Sequence, residues 1–208
     1  TVISTGIKNI ITDFLNAKEA TNLKVVTNGC DTTSLVHQED FDIKKRYNIN
    51  KDKKLAVCVG NIVERKNQIQ VVRAFALLSE PVRSNLVILF LGNDFTNGVF
   101  KSEIKKFELE NSLIICGNIP KDQVPFFYAQ ASFNIVASIN EGCGLSIIES
   151  FVYGVPTVTY SDLDAIPDLY NEKSMLLVDS RTDNSLAKGI ENAFRKEYSL
   201  VVDHLHKK

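Results

Sequence analysis

Along most of this chain, short apolar runs alternate with stretches in which apolar residues recur every three or four positions. The runs fall at residues 23–26, 55–59, 86–91, 113–116, 133–137, 157–160 and 175–178. Most are continuous rather than alternating, as strands buried on both faces of a parallel sheet require. Between them, Ile69, Val72, Phe75 and Leu78 keep helical spacing, and so do Val124, Phe127 and Tyr128 after Pro120-Lys121-Asp122. Leu186, Ile190, Ala193 and Phe194 mark a later amphipathic helix, with Asp183 at the position of an N-cap. This alternation predicts an α/β fold with a mostly parallel sheet and helices on both faces.

The first residues differ in character. Val2-Ile3-Ser4 reads as a strand end and residues 7–17 as a helix, followed by a polar turn at 19–22. The chain starts in mid-pattern without an initiating methionine. Residues 1–20 are therefore expected to be the tail of a preceding domain or a linker, and residues 21–208 the domain proper.

Composition narrows the function classes without naming one. Hydrophobic residues make up 44% and charged residues 24% of the 208, ordinary values for a globular protein with a core. A net charge of −1 gives no electrostatic reason to expect nucleic acid or an anionic membrane as partner. No apolar run approaches the roughly 20 residues of a membrane span. Cys30, Cys58, Cys116 and Cys143 show no CxxC pairing, and His37, His204 and His206 no metal-ligand pattern. No Asn-x-Ser/Thr sequon and no basic-then-apolar leader occur. Together these absences predict a reducing, cytoplasmic setting.

The chemistry concentrates in Glu141-Gly142-Cys143-Gly144-Leu145-Ser146-Ile147-Ile148-Glu149, which follows the run at 133–137 and leads into Gly154-Val155-Pro156-Thr157-Val158. Two glycines two apart allow close approach of a ligand to the backbone. A helix starting near Gly144 presents unpaired N–H groups that favour an anion. On that helix the apolar pattern makes Leu145, Ile148 and Val152 the core stripe, with Ser146, Glu149, Ser150 and Tyr153 on the opposite side. An extended ligand could lay a diphosphate over the helix N-terminus, with a carboxylate meeting hydroxyls on either side. Cys143 reads as a small loop residue, since no histidine lies near it in sequence to activate a thiol.

This segment resembles the E-x7-E motif of the large retaining glycosyltransferase family 4, whose members have the two-domain GT-B fold. The family's usual form is close to E-G-F-G-L-x-x-x-E-A-x-x-x-G-x-P-V, and Glu141, Gly142, Gly144, Leu145, Glu149, Gly154 and Pro156 match it. Further resemblances follow in order. Val26-Thr27-Asn28-Gly29-Cys30-Asp31 is similar to the interdomain I-P-N-G-V-D segment. Val59-Gly60-Asn61-Ile62-Val63-Glu64-Arg65-Lys66-Asn67 is similar to V-G-R-L-x-x-x-K-G. Cys116-Gly117-Asn118-Ile119 resembles the loop that meets the base, and Ala165-Ile166-Pro167-Asp168 the G-x-P-E turn. The ordered set covers residues 21–195.

The resemblance implies a Rossmann-like C-terminal domain of a GT-B enzyme that binds a UDP- or GDP-sugar. Glu149 would bind the ribose hydroxyls and Glu141 the transferred sugar. Backbone around Gly142, Cys143, Gly144 and Leu145 would meet sugar and phosphates, Lys66 the diphosphate, and Gly60 and Asn118 the rest of the donor. One departure is plain: Asn61 stands where the family has an arginine, and Arg65, beside Lys66, is expected to point elsewhere. The resemblance implies no metal cofactor, because cations and a helix N-terminus carry the leaving-group charge. The implied partners are the nucleotide-sugar donor, an N-terminal acceptor domain, and an acceptor saccharide, lipid or protein. Any membrane attachment would come from that N-terminal domain. Two alternatives stay open: a non-catalytic nucleotide-sugar-binding subunit, and an α/β interaction domain without ligand.

Overall fold

The computed structural model describes residues 1–14, 23–26, 28–29, 41–172 and 174–196. Thr27, Cys30, Asp31, His37, His204 and His206, named above, lie outside the described residues. The order is α1 (Thr5–Phe14), α2 (Ile43–Arg46), β1 (Lys54–Val59), α3 (Gln68–Ala76), α4 (Glu80–Arg83), β2 (Leu86–Leu91), α5 (Val99–Lys106), β3 (Leu113–Gly117), α6 (Val124–Gln130), β4 (Phe133–Val136), α7 (Leu145–Val152), β5 (Thr157–Tyr160), α8 (Ile166–Leu169), β6 (Met175–Val178) and α9 (Asp183–Arg195). The six strands form one parallel sheet in the order β3-β2-β1-β4-β5-β6. The chain thus builds outward from β1 to β3, then returns to β1's other side. That reversal opens a crevice beyond the carboxyl ends of β1 and β4, where open α/β sheets take ligands.

Strand burial explains the continuous apolar runs. In β2, Leu86, Ile88 and Phe90 join the core on one face, while Val87, Leu89 and Leu91 join the core on the other. β1 does the same with Ala56 and Cys58 against Leu55 and Val57. One face is closed by α3 and α9, whose Val72, Phe75, Leu186, Ile190 and Ala193 are buried at the expected spacing, with Leu78 buried just past the end of α3. The other takes Phe127 and Tyr128 of α6 and Ile43 of α2.

Three expectations change. Residues 23–26 are not a sheet strand: Val25 makes only an isolated parallel bridge to Val2. The helix expected over 7–17 begins at Thr5, where the Asp168 carboxylate accepts from Thr5 N at 2.6 Å and from its hydroxyl. This ties α1 to α8; residues 15–17 lie outside the described residues. The cap of α9 is Thr182, not Asp183. Thr182 has extended backbone and its Oγ1 accepts from Ser185 N at 3.2 Å, which leaves Asp183 inside the first turn, where a carboxylate suits the helix dipole. Thr182→Ala should cost about 1 kcal/mol, read as a lower urea midpoint with unchanged slope.

Candidate active site

The loops after β1, β2, β3 and β4 meet at the crevice. Gly60 N donates to Leu91 O and Gly92 N to Gly117 O, each at 2.8 Å, so the first three strand ends are laced by backbone. Asn61 extends the lacing: its Oδ1 accepts from Asn93 N at 3.0 Å, and its carbonyl accepts from Gln68 Nε2 at 2.9 Å. The Asn61 NH2 group is left to donate into the cleft.

That cleft has a volume of about 860 Å³. Gly60, Asn61 and Gly92 form its floor, Asn118, Lys121 and Asp122 one side, and Leu145, Glu149 and Tyr153 of the α7 side the other. Asn28 and Gly29 also line it, where the interdomain segment was expected.

The shape of α7 differs from the expected amphipathic pattern. Its buried residues are Ser146, Ile147 and Ser150, whereas Leu145 is 45% exposed and Ile148 and Val152 only partly buried. Small side chains let the helix approach the sheet; the Ser150 hydroxyl finds a partner there, whereas the Ser146 hydroxyl is buried without one. Ser150 Oγ lies 2.7 Å from Thr157 Oγ1, and Asn134 Nδ2 donates to Ser146 O at 3.2 Å. The rotation of the helix puts Leu145, Glu149 and Tyr153 on the cleft. Tyr128 OH donates to Ser146 O at 3.1 Å and to Glu149 Oε2 at 3.4 Å, and its ring stacks on Tyr153 with centres 5.7 Å apart. Burial raises the Glu149 carboxyl above its ordinary value, opposed by the Tyr128 hydrogen bond and the Lys121 charge.

At the head of α7, Gly144 has φ of 64°, a left-handed conformation that favours glycine. Ile147 N and Ile148 N return to Gly144 O, so Leu145 N and Ser146 N have no acceptor within the helix. Just before it lies Glu141, only 9% exposed. Its Oε2 accepts from Lys66 Nζ at 2.5 Å and from Ser138 Oγ at 3.1 Å. Lys66 is delivered by the 3-10 turn Glu64–Lys66 and runs under Gly60, where an added Cβ would stand 3.6 Å from its Cε. The part-buried ion pair therefore adjoins the cleft floor.

Arg65 does not point elsewhere. Its Nη1 donates to Asn140 O at 3.0 Å and lies 3.7 Å from Glu141 Oε2, with the side chain 53% exposed. The cause is backbone: Arg65 O accepts from Ile139 N at 2.9 Å, which holds the 3-10 turn against the loop after β4.

Of the residues singled out from sequence, Gly60, Asn61, Asn118, Leu145 and Glu149 line the cleft. Lys66 and Glu141 pair beside it, and Gly142, Cys143 and Gly144 form the turn between the pair and α7. Gly142 packs on the N-terminal segment, where an added Cβ would meet Ile3 Cδ1 and Ile7 Cγ1 at 3.4 Å. The Cys143 thiol is free and half-buried. Sequence reasoning gave no site role to Gly92, Ser138 or Tyr128, nor to Tyr153, which it placed on the Glu149 side of the helix. For Gly92 a signal exists, a glycine directly after an apolar strand, which often marks close backbone approach. Among the described residues no group of three or more His, Cys, Asp or Glu could hold a metal ion, and no helix is long and apolar enough to cross a membrane.

Comparison with known proteins bears on this geometry. The glycosyl transferases group 1 family matches residues 39–204. Among curated proteins, the alpha-monoglucosyldiacylglycerol synthase of Streptococcus pneumoniae is 25% identical over 162 residues, covering 75% of this chain and 36% of that protein. The poly(glycerol-phosphate) alpha-glucosyltransferase of Bacillus subtilis is 32% identical over 114 residues, covering 54% of this chain and 16% of that protein. Among solved structures, Anabaena HepE in complex with UDP and glucose superposes with a TM-score of 0.81 at 17% identity, over 94% of this chain and 53% of that one. The chain thus spans about a third or less of these curated relatives and about half of HepE. The shared fold is the Rossmann-like domain of GT-B glycosyltransferases.

Proposed function

The chain belongs to the group 1 glycosyl transferases, and on that premise we propose that its cleft binds a nucleoside-diphosphate sugar as the donor half of a retaining enzyme. The observation that carries this reading is the placement of the Lys66–Glu141 pair beside the cleft floor, next to the first N–H groups of α7, which have no acceptor within the helix. Such an edge suits a diphosphate: a cation and oriented backbone dipoles stabilise charge as it builds on the leaving group. Glu149, deeper along the same wall, accepts the ribose hydroxyls. The base lies toward Asn118 and Ile119, whose loop meets it through backbone groups. That HepE was solved with UDP and glucose supports a UDP-sugar over other donors.

In this reading Glu141 orients the transferred sugar and is not a covalent nucleophile. The donor diphosphate draws on Lys66, whose ammonium donates to Glu141 Oε2. The acceptor, whether saccharide, lipid or protein, binds against an N-terminal domain, and the 208-residue chain does not turn over without it. No metal takes part. The relatives' products make polysaccharide or glycolipid assembly at the cytoplasmic side of a membrane the fitting setting.

A second reading, a nucleotide-sugar-binding subunit without transfer, draws on Asn61, which carries no charge and has its Oδ1 tied to Asn93. Activity gained by an inactive full-length protein on Asn61→Arg would favour it. The first reading is tested by calorimetric titration with UDP, GDP and ADP beside their nucleosides. Lys66→Gln should weaken the matching diphosphate by about 1.5–3 kcal/mol and leave the nucleoside unchanged. No binding of any diphosphate at millimolar concentration would reject a donor site.

A further inference from the structure

Behind the Lys66–Glu141 pair runs a chain of polar contacts that the donor-site reading does not use. Arg181, in the turn between β6 and α9, donates from Nη1 to Ser138 O at 2.9 Å and from Nε to Asp162 Oδ2 at 2.8 Å. Its guanidinium carbon lies 4.6 Å from the centre of the Tyr160 ring. The Arg181 carbonyl in turn accepts from Gln70 Nε2 at 2.8 Å. Gln70 Oε1 accepts from Tyr160 OH at 2.8 Å and from Asn67 Nδ2 at 2.7 Å. Asn67 follows Lys66 directly and sits in the left-handed conformation that closes its turn. One residue, through its two ends, therefore reaches both members of the ion pair: Ser138 before Glu141, and Asn67 after Lys66.

We infer that Arg181 is a positioning residue that sets the Glu141 carboxylate for the donor sugar. The link is Ser138, which is buried and holds Glu141 Oε2 through its hydroxyl while Arg181 holds its carbonyl. With Oε2 engaged by Ser138 and Lys66, the orientation of Oε1 follows from where that peptide is pinned. The role is geometric rather than electrostatic. Asp162 neutralises the guanidinium and Tyr160 covers its face, so Arg181 adds no unpaired positive charge to the site. A planar guanidinium is suited to this, since it directs donors along two lines while stacking on a ring. Lysine could replace one donor only.

This inference rests on the donor-site reading, in which Glu141 meets the sugar, and one experiment separates the two. The whole chain is titrated with UDP and UDP-glucose, and with GDP and GDP-mannose, and the ratio of sugar-bearing to sugar-free affinity is taken for the pair it binds. Arg181→Ala should lower that ratio about tenfold, the order of one hydrogen bond to a charged group, with the sugar-free affinity within about twofold of wild type. Arg181→Lys should recover part of the ratio. If Arg181→Ala does not fold, Ser138→Ala tests the link through which Arg181 acts, because it keeps the carbonyl that Arg181 holds and removes the hydroxyl that donates to Glu141. An unchanged ratio in the variant that folds, or equal weakening of both ligands, overturns the positioning role alone. Failure of the wild-type chain to bind any of the four ligands overturns the donor site and this role with it.

Discussion

Glu149→Gln is expected to weaken nucleoside diphosphate binding by about 1.5–3 kcal/mol while making the empty chain more stable at neutral pH. The two effects have one source. Glu149 sits partly buried on the cleft wall, and burial raises its carboxyl above the ordinary value of 4.5. The unfolded chain therefore loses this proton first as pH rises. Its stabilising contribution is fully present below the unfolded value and is lost as pH climbs through the raised folded value; at neutral pH the ionised form is a cost to the fold. Glutamine removes that cost and the pH dependence, but in the proposed donor site it accepts more weakly from ribose hydroxyls. Urea unfolding from pH 4 to 8 should show a decline in wild type that is smaller in the variant. Calorimetry should show wild-type affinity falling as pH drops through the raised value. A variant that binds as tightly as wild type would remove Glu149 from the donor site.

Gly92→Ala should destabilise the chain by about 2–4 kcal/mol and abolish nucleotide binding. An added Cβ would stand 2.4 Å from Gly60 O and 2.7 Å from Asn61 N, both backbone atoms that cannot step aside, and Gly92 has φ of 149°. The clash pushes apart the ends of β1 and β2, which form the cleft floor. Gly98→Ala is the control. Gly98 also has positive φ, 87°, but open space around it, so it should show the conformational cost alone, about 1–2 kcal/mol, with binding intact. Equal losses in the two variants would mean that close approach at Gly92 contributes nothing.

The strands were legible because burial on both faces leaves a simple trace, a continuous apolar run with no alternation. The run at 23–26 misled because the pattern records apolarity and not partners; Val25 finds only Val2. On α7 the rule that polar means exposed failed at Ser146 and Ser150, whose hydroxyls are short enough to pack and whose surroundings include a threonine and an asparagine of the sheet. α5 went unseen because Phe100 and Ile104 alone make too short a stripe. For the site, a resemblance carried Glu141, Glu149 and Lys66, but nothing local in the chain says that residues 66 and 141 touch. Nor does anything in the turn after β6 distinguish Arg181 from a solvated loop arginine. Its contact with Ser138 depends on β4, β5 and β6 lying side by side.

The strand order has a consequence for how such a chain can vary. Lys66 and Glu141 lie 75 residues apart, yet they come from loops beyond neighbouring strands, β1 and β4. The intervening β2 and β3 are stacked outward on the far side of β1 rather than wedged between. Lengthening or trimming the outer connections, such as the one between α5 and β3, therefore adds or removes material at a flank without changing the spacing of the ion pair. The half of the sheet beyond β1 can drift in sequence and size while the corner that holds the ion pair stays fixed.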